Sequence, residues 1–373
     1  MTDLTPHSSR SVILTVADVV DETDDARSII FGVPAAMADK FTGYRPGQFL
    51  TLRIPSDRTG SVARCYSLAS SPLSGELPKV TVKRTRDGYG SHWVCDNLTA
   101  GSQIEALPPS GVFTPTDLDA PLLLIAAGSG VTPVMSILKT ALAAGSAPIV
   151  FFYANRSEND VIFATELREL THAHDDRLTV IHWLESLSGL PSETTLARVF
   201  SPFVGHHAYL CGPGPFMDAV HKGLAAAGFP HHDVHSEVYS SLSGDPFTDI
   251  DIDAPTAEEE ANAATVEVEL DGETHTLRWP RERSLVDVMI AAGIDVPYSC
   301  LEGEWVRAPA LSPRAPSTWT IRARSTTTTS PTDTSWAASP NRPRTGCAWS
   351  SEPMRRTPAP IGTGVRQTLR SVR

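Results

Sequence analysis

Leu122-Leu123-Leu124-Ile125-Ala126-Ala127 runs without a break into Gly128-Ser129-Gly130-Val131-Thr132-Pro133, and then into the helical stretch Val134 to Ala144. A continuous apolar run is the mark of a parallel strand buried on both faces. Such a strand needs helices above and below it, so this stretch commits the middle of the chain to an α/β layer. Strand, glycine turn and helix, in that order, put a pyrophosphate at a helix N-terminus. The six-position glycine fingerprint is incomplete, so an ordinary Rossmann dehydrogenase is not implied. Further strands are predicted over Pro148–Tyr153, Leu178–Leu184, Ala208–Cys211 and Asp233–Val238, with a helix around Glu166–Leu170. Parallel sheets bind ligands at their C-terminal strand ends. Gly212-Pro213-Gly214-Pro215 falls at such an end and is expected to form a tight turn close to the ligand.

The stretch before this layer has another rhythm. Val12–Val16, Ser28–Phe31, Phe49–Ile54 and Lys79–Arg84 are β-rich and punctuated by Pro46-Gly47 and Asp87-Gly88. Short strands at this spacing predict a small antiparallel barrel. Within it, Arg64-Cys65-Tyr66-Ser67 puts Arg64 and Tyr66 on one strand face, with Ser67 next in line. An Arg for a phosphate, a Tyr to stack on a ring and a Ser to hydrogen-bond near it suit a flavin. A half-buried strand with a surface Arg accounts for the same residues. Asp87-Gly88-Tyr89-Gly90-Ser91 precedes a short predicted helix, His92–Asn97. Glycines leading into a helix N-terminus make an anion site, and equally a hairpin turn with a capped helix. Pairing it with the Arg-x-Tyr-Ser stretch favours a pyrophosphate. Cys211, at a strand end, reads either as a small buried hydrophobe or as a neighbour of a nicotinamide.

Charge and cysteine content bound the rest. A net charge of −12 argues against nucleic acid as a partner. Five scattered Cys make no disulfide framework and point to the cytoplasm. No apolar run reaches membrane-spanning length, and the N-terminus lacks a signal-peptide core. The charge is unevenly spread. From Trp305 to Arg373 there are eleven Arg, no Lys, and only Asp333 and Glu352 as acids, which leaves residues 1–304 with 20 basic and 41 acidic side chains.

Arg64-Cys65-Tyr66-Ser67, Gly88 to Ser91, Gly128 to Pro133 and Cys211-Gly212-Pro213-Gly214-Pro215-Phe216, in this order, resemble the ferredoxin–NADP⁺ reductase superfamily. Asp18 to Ile30, Pro46 to Leu68 and Val80 to Leu98 bring the likeness closer, to the reductase components of two-component Rieske oxygenases that 9α-hydroxylate 3-ketosteroids. The resemblance implies an FAD-binding barrel over 1–115, an NAD-binding α/β domain over 116–240, and hydride transfer from NADH to the flavin. It implies a Rieske-type terminal oxygenase as electron acceptor. Carried over by motif, Arg64 meets the FAD phosphates, Tyr66 the isoalloxazine face and Ser67 its reactive nitrogen. Gly90 and Ser91 meet the pyrophosphate. Gly130, Thr132 and Cys211 line the nicotinamide pocket, with Glu237 near the reacting centre. Lys83, Gly128, Arg156, Gly212 and Tyr239 complete the cofactor-binding set. Arg156 would attract a 2′-phosphate, whereas Glu158 and Asp160 would repel one; the closer family implies NADH. Alternatives are a reductase for another ring or phenylacetyl-CoA oxygenase, and a flavin-binding remnant that has lost its electron exit.

Residues 241–264 read as an acidic linker. Thr265–Leu270 and Thr274–Trp279 flank an Asp271-Gly272 turn, a β-hairpin. A capped helix follows over Ser284–Gly293. With Val296 to Glu304 this stretch, 265–304, resembles the opening half of a plant-type β-grasp [2Fe–2S] ferredoxin domain, Cys300 matching its first cluster ligand. The pattern then breaks, with Trp at 305 and Ala at 308 where Cys is required. One added C in the Trp305 codon permits Cys-Gly-Pro-Cys-Thr-Cys from 305 onward. The same frame permits Leu-Gly-Cys-Gln around Trp336-Ala337, where the family has its fourth ligand. The expectation is a frameshift after Glu304, an incomplete cluster and a disordered tail over 305–373.

Overall fold

The computed structural model describes residues 4–8, 10–239, 245–247, 256, 263–270, 273–280, 283, 285–292, 294 and 319–324. The first domain is built from β1 (Val12–Thr23), β2 (Ala26–Gly32), β3 (Phe49–Ser56), β4 (Gly60–Ser67), β5 (Lys79–Lys83) and β6 (Gln103–Ser110), with α1 (Ala38–Thr42) between β2 and β3 and α2 (Tyr89–Asn97) between β5 and β6. The strands run antiparallel in the order β4-β3-β6-β1-β2-β5. A bridge between Leu68, just past β4, and Val80 in β5 joins the two ends of that order and closes the barrel. Leu14, Ile29, Phe31, Leu50, Leu52 and Val80 fill its interior. Gly47, at φ +94°, lies where a Cβ would fall 1.9 Å from the Phe113 carbonyl oxygen, so the turn into β3 admits only glycine. The helix expected over His92–Asn97 begins earlier, at Tyr89, which brings Gly90 and Ser91 into its first turn.

The second domain is the α/β layer. Its elements are β7 (Leu122–Ala127), α3 (Val131–Ala144), β8 (Ile149–Asn155), α4 (Ala164–Ala173), β9 (Leu178–Leu184), α5 (Glu185–Ser188), α6 (Glu193–Phe200), β10 (His207–Cys211), α7 (Gly214–Ala227) and β11 (Val234–Glu237). The strands are parallel, in the order β11-β10-β7-β8-β9. All six residues of β7 are buried. Leu122, Leu124 and Ala126 pack on the α3 side, and Leu123, Ile125 and Ala127 on the α6–α7 side, as a strand covered on both faces requires. Gly214 and Pro215 do not extend the turn after β10; they open α7, because proline fits the first helical turn without losing a hydrogen bond.

One helix joins the two domains. Nearly every residue of α3 is buried, polar ones included. Ser136 Oγ donates to the Ser70 carbonyl at 2.7 Å, and Thr140 Oγ1 to Ser71 Oγ at 3.0 Å. Lys139 Nζ reaches Glu76 at 2.6 Å and Glu166 at 2.8 Å, while Lys79 Nζ binds Glu166 at 2.9 Å and lies 5.0 Å from the centre of the Phe163 ring. Ser70, Glu76 and Lys79 come from the barrel domain, so these contacts cross between domains.

In the third region, β12 (Ala264–Leu270) and β13 (Glu273–Trp279) form the expected hairpin, followed by α8 (Leu285–Ala291). The Asp271-Gly272 turn, Ser284, Gly293 and Cys300 lie outside the described residues. Two observations bear on the stretches after 240. Within the linker, Phe247 is buried against Ala63 and Leu107 of the barrel, and Arg10 donates to the Pro246 carbonyl at 3.3 Å. Within the tail expected to lack structure, β14 (Trp319–Arg324) pairs antiparallel with β12. The free edge of β12 carries backbone groups that need partners, and Trp-Thr-Ile is β-prone. The remainder of 305–373 is outside the described residues. Among the described residues no helix is long and apolar enough to cross a membrane.

Burial pushes the Glu166 carboxyl up, but Lys139 and Lys79 outweigh it and hold it below the usual carboxylate range. Its charge therefore stabilises the folded state above the unfolded value of about 4.3, and that contribution is lost as pH falls through the folded value. Glu166→Gln is expected to lower stability at neutral pH by about 2 kcal/mol and to flatten its decline in acid. Urea unfolding midpoints between neutral pH and pH 3.5 check both; a variant with the parent's acid slope would exclude this carboxylate as the source.

Candidate active site

Two groups of the expected residues converge where strands of the two domains end. On the barrel, Arg64 and Tyr66 share a face of β4, as the strand period requires. A Cβ on Gly90 would lie 2.9 Å from Arg64 Cγ and 3.5 Å from the Tyr66 hydroxyl, so the first turn of α2 sits directly on that face. The Arg64 stem, the Tyr66 phenol and a helix N-terminus thus meet in one place, with one guanidinium N–H donated to the Ala63 carbonyl at 2.7 Å; an Arg, a phenol and a helix N-terminus are a donor set that fits a phosphate-bearing ligand. Burial raises the Tyr66 phenol above its ordinary pKa and keeps it neutral. The Ser91 hydroxyl is not free for a ligand: it accepts from the Thr85 amide at 3.1 Å and donates to the Gly88 carbonyl at 3.1 Å. What Ser91 can offer is the main chain of the helix's first turn.

The second group lies at the domain junction. Ser67, buried at the end of β4, donates to the Tyr239 hydroxyl at 3.5 Å. The same hydroxyl is 2.9 Å from Thr132 Oγ1 and 3.4 Å from the Ser129 carbonyl. Tyr239 as a whole residue remains 49% exposed, while its hydroxyl is turned into the junction. Cys211 is fully buried beside it, and burial pushes its thiol up to about 12, so it is a neutral thiol and not a nucleophile. Glu237 pairs with Cys211 in register across β10 and β11, and its charge adds to the rise. Gly130 sits so close that a Cβ would fall 2.2 Å from the Cys211 carbonyl oxygen; Gly212 has Phe216 and Ala127 at 3.0 and 3.2 Å from its own Cβ position. Gly128, at φ +53°, has nothing within 4 Å of its Cβ position and faces open space. Ser67, Gly130, Thr132, Cys211, Gly212, Glu237 and Tyr239 are therefore one locus, with Gly128 at its rim.

Lys83 and Arg156 belong to neither group. Both pair with Asp25, in the β1–β2 turn, and with Asp160, beyond β8. Asn155, at the end of β8, is buried, and its amide lies beside the Tyr153 phenol without a hydrogen bond of good geometry. The sequence reading missed Asp25, whose contact with Arg156 spans 131 positions and leaves no local signal. It also missed the Ser70–Ser136 and Lys139–Glu166 contacts, since buried polar residues on a helix look like ordinary surface in a pattern.

The profile of the oxidoreductase FAD-binding domain matches residues 14–114, and that of the oxidoreductase NAD-binding domain matches 124–222. The ferredoxin reductase component of a 3-ketosteroid-9-alpha-monooxygenase from Rhodococcus rhodochrous is 62% identical over 299 residues, 80% of this chain and 85% of that protein. One of the subunits of the 1,2-phenylacetyl-CoA epoxidase of Escherichia coli is 30% identical, over 78% of this chain and 83% of that relative. Among solved structures, the FAD/NAD-binding domain of a nitric oxide dioxygenase from Vibrio cholerae superposes with a TM-score of 0.55 at 27% identity, covering 61% of this chain and 98% of that domain. With both cofactor-domain profiles matched and the ketosteroid relative sharing twice the identity of the epoxidase relative, the chain belongs to the family of FAD- and NAD-binding flavoprotein reductases that includes the ferredoxin reductase components of 3-ketosteroid-9-alpha-monooxygenases.

Proposed function

We propose that this chain takes a hydride from NADH and supplies electrons to a Rieske-type oxygenase acting on a 3-ketosteroid. The observation that carries the reading is the Tyr239 hydroxyl, which links Ser67 of the barrel to Thr132 of the nucleotide domain at the point where both cofactor sites would meet. A bound flavin supplies the conversion between a two-electron donor and one-electron acceptors. The protein's part is binding and orientation. Arg64 and the first turn of α2 hold the phosphates, and Tyr66 packs against the ring. Ser67 directs a hydroxyl at its reactive edge. Gly130 allows close approach, Thr132 offers an oxygen, and the neutral Cys211 thiol keeps the donor's reacting carbon in a dry wall. Glu237 stands beside that wall, in register with Cys211. The steroid assignment rests on the 62% identity to the Rhodococcus protein.

The third region is proposed to be the front half of a [2Fe–2S] domain whose frame is lost after Glu304. Cys300 would be the first cluster ligand, and Trp305 and Ala308 stand where further ligands belong. The chain as written would reduce artificial acceptors and pass few electrons to an oxygenase. Protein expressed from the native gene is expected to contain flavin without iron, by iron-to-flavin ratio; about two irons per FAD would mean an intact cluster domain. Restoring the frame is expected to recover NADH-driven 9α-hydroxylation with the oxygenase component, and failure to do so with the cluster in place would overturn the steroid assignment.

Two substitutions separate the roles. Tyr66→Ala is expected to lose most of its FAD on gel filtration. Cys211→Ala is expected to keep its FAD yet slow flavin bleaching by NADH roughly tenfold, because a misplaced donor loses effective molarity; stopped-flow absorbance reads the rate.

A further inference from the structure

The ionic cluster around Arg156 has an unusual parentage. Arg156 follows the last residue of β8, the second strand of the nucleotide layer counted from the glycine turn. In such folds that position lies beside the ribose 2′ substituent, where an acid suits a hydroxyl and an Arg suits a phosphate. Tyr153 donates to the Gly128 carbonyl at 3.2 Å and ties this strand end to the glycine turn. Asp24, Asp25, Arg156, Asn159 and Asp160 line a cleft of about 400 Å³ there.

Two of those acids belong to the other domain. Asp25 is fixed in the β1–β2 turn of the barrel by the Thr23 hydroxyl at 2.9 Å. Its carboxylate reaches Arg156 Nη2 at 3.5 Å and Lys83 Nζ at 3.3 Å. Asp160 takes the same two cations, with Lys83 Nζ at 3.7 Å, and is braced by Ser157 Oγ at 2.7 Å. Two cations and two carboxylates close on one another, and Asp24 adds a further negative charge to the cleft. An arriving 2′-phosphate would meet an Arg156 whose Nη2 is already shared by two carboxylates, a Lys83 ammonium facing the same two, and acids that repel it. A 2′-hydroxyl meets neither obstacle.

We propose that Asp25, from the FAD-binding domain, is a specificity-determining residue for the pyridine nucleotide: it neutralises Arg156 and Lys83 and so selects a 2′-hydroxyl over a 2′-phosphate. The inference deepens the NADH assignment made above and rests on it. Selectivity is then assembled from two domains, and the arginine that would ordinarily invite NADPH is held in check from across the junction.

The test uses the flavin-loaded chain and its Asp25→Asn and Asp25→Asn/Arg156→Ala variants. Flavin reduction by NADPH and by NADH gives the ratio of their kcat/KM values. Calorimetric titration with 2′,5′-ADP and with 5′-AMP reads the 2′-phosphate without any turnover. Asp25→Asn is expected to raise the NADPH-to-NADH ratio and to tighten 2′,5′-ADP relative to 5′-AMP, each by about tenfold. The double variant is expected to lose both gains. An unchanged ratio and unchanged 2′,5′-ADP binding in Asp25→Asn, with the parent still preferring NADH, would overturn the role of Asp25 and leave the NADH assignment standing. A parent chain that prefers NADPH, or a flavin that neither nucleotide bleaches, would overturn both. Gains that persist without Arg156 would overturn the mechanism through that residue.

Discussion

The structure depends on α3 being buried between its own sheet and a neighbouring barrel. One face of the helix is an ordinary apolar partner for β7. The other carries Ser136, Lys139 and Thr140 into a place where unpaired polar groups would be costly. Each finds a partner on the barrel segment 70–79 or on α4. Because those partners are specific in direction, the helix can dock on the barrel in one way. That docking brings the N-terminus of α3, with Thr132, to the end of β4, with Ser67. A purely apolar seam would have held the domains together with less control over where these two hydroxyls meet.

Much of this was legible in the chain. The six apolar residues of β7, the glycine turn and the helix behind it follow from local pattern alone, because a strand buried on both faces has no polar positions to interrupt it. The barrel strands were legible for a similar reason. β6 was not singled out: Pro108 and Pro109 lie in it, and proline ordinarily speaks against a strand. The start of α2 was misplaced by three residues, since Tyr89 and Gly90 look like turn residues. The candidate residues were picked out as types in order. Only the resemblance grouped Thr132 with Cys211; the residues alone did not, because Ser67, Thr132, Cys211 and Tyr239 are brought together by a domain junction, and no spacing rule encodes a junction. Lys83 and Arg156 show the limit most clearly: as isolated cations each looks ready for a phosphate, and the Asp25 that occupies them lies far away in sequence.

The third region shows how a strand edge finds company. β12 pairs with β13 on one side through a hairpin, which needs little beyond local turn chemistry. On the other side it takes β14, from the Arg-rich stretch after Glu304. An open edge accepts whatever β-prone segment is within reach. Pairing of this kind satisfies backbone groups without specifying a core, and it is a different matter from completing a cluster-binding domain, which needs four thiolates at fixed places.

Tyr239 is the last described residue before the acidic stretch, and its hydroxyl is also the link between Ser67 and Thr132. The last residue of the continuous described run is thus part of the candidate site itself. On the proposed reading, this sets a minimum length for the flavin-and-nucleotide unit. A chain ended at Tyr239 retains the hydroxyl that links Ser67 to Thr132, whereas one ended a single residue earlier retains every strand and helix of both domains, and the α3 contacts between them, but lacks that link.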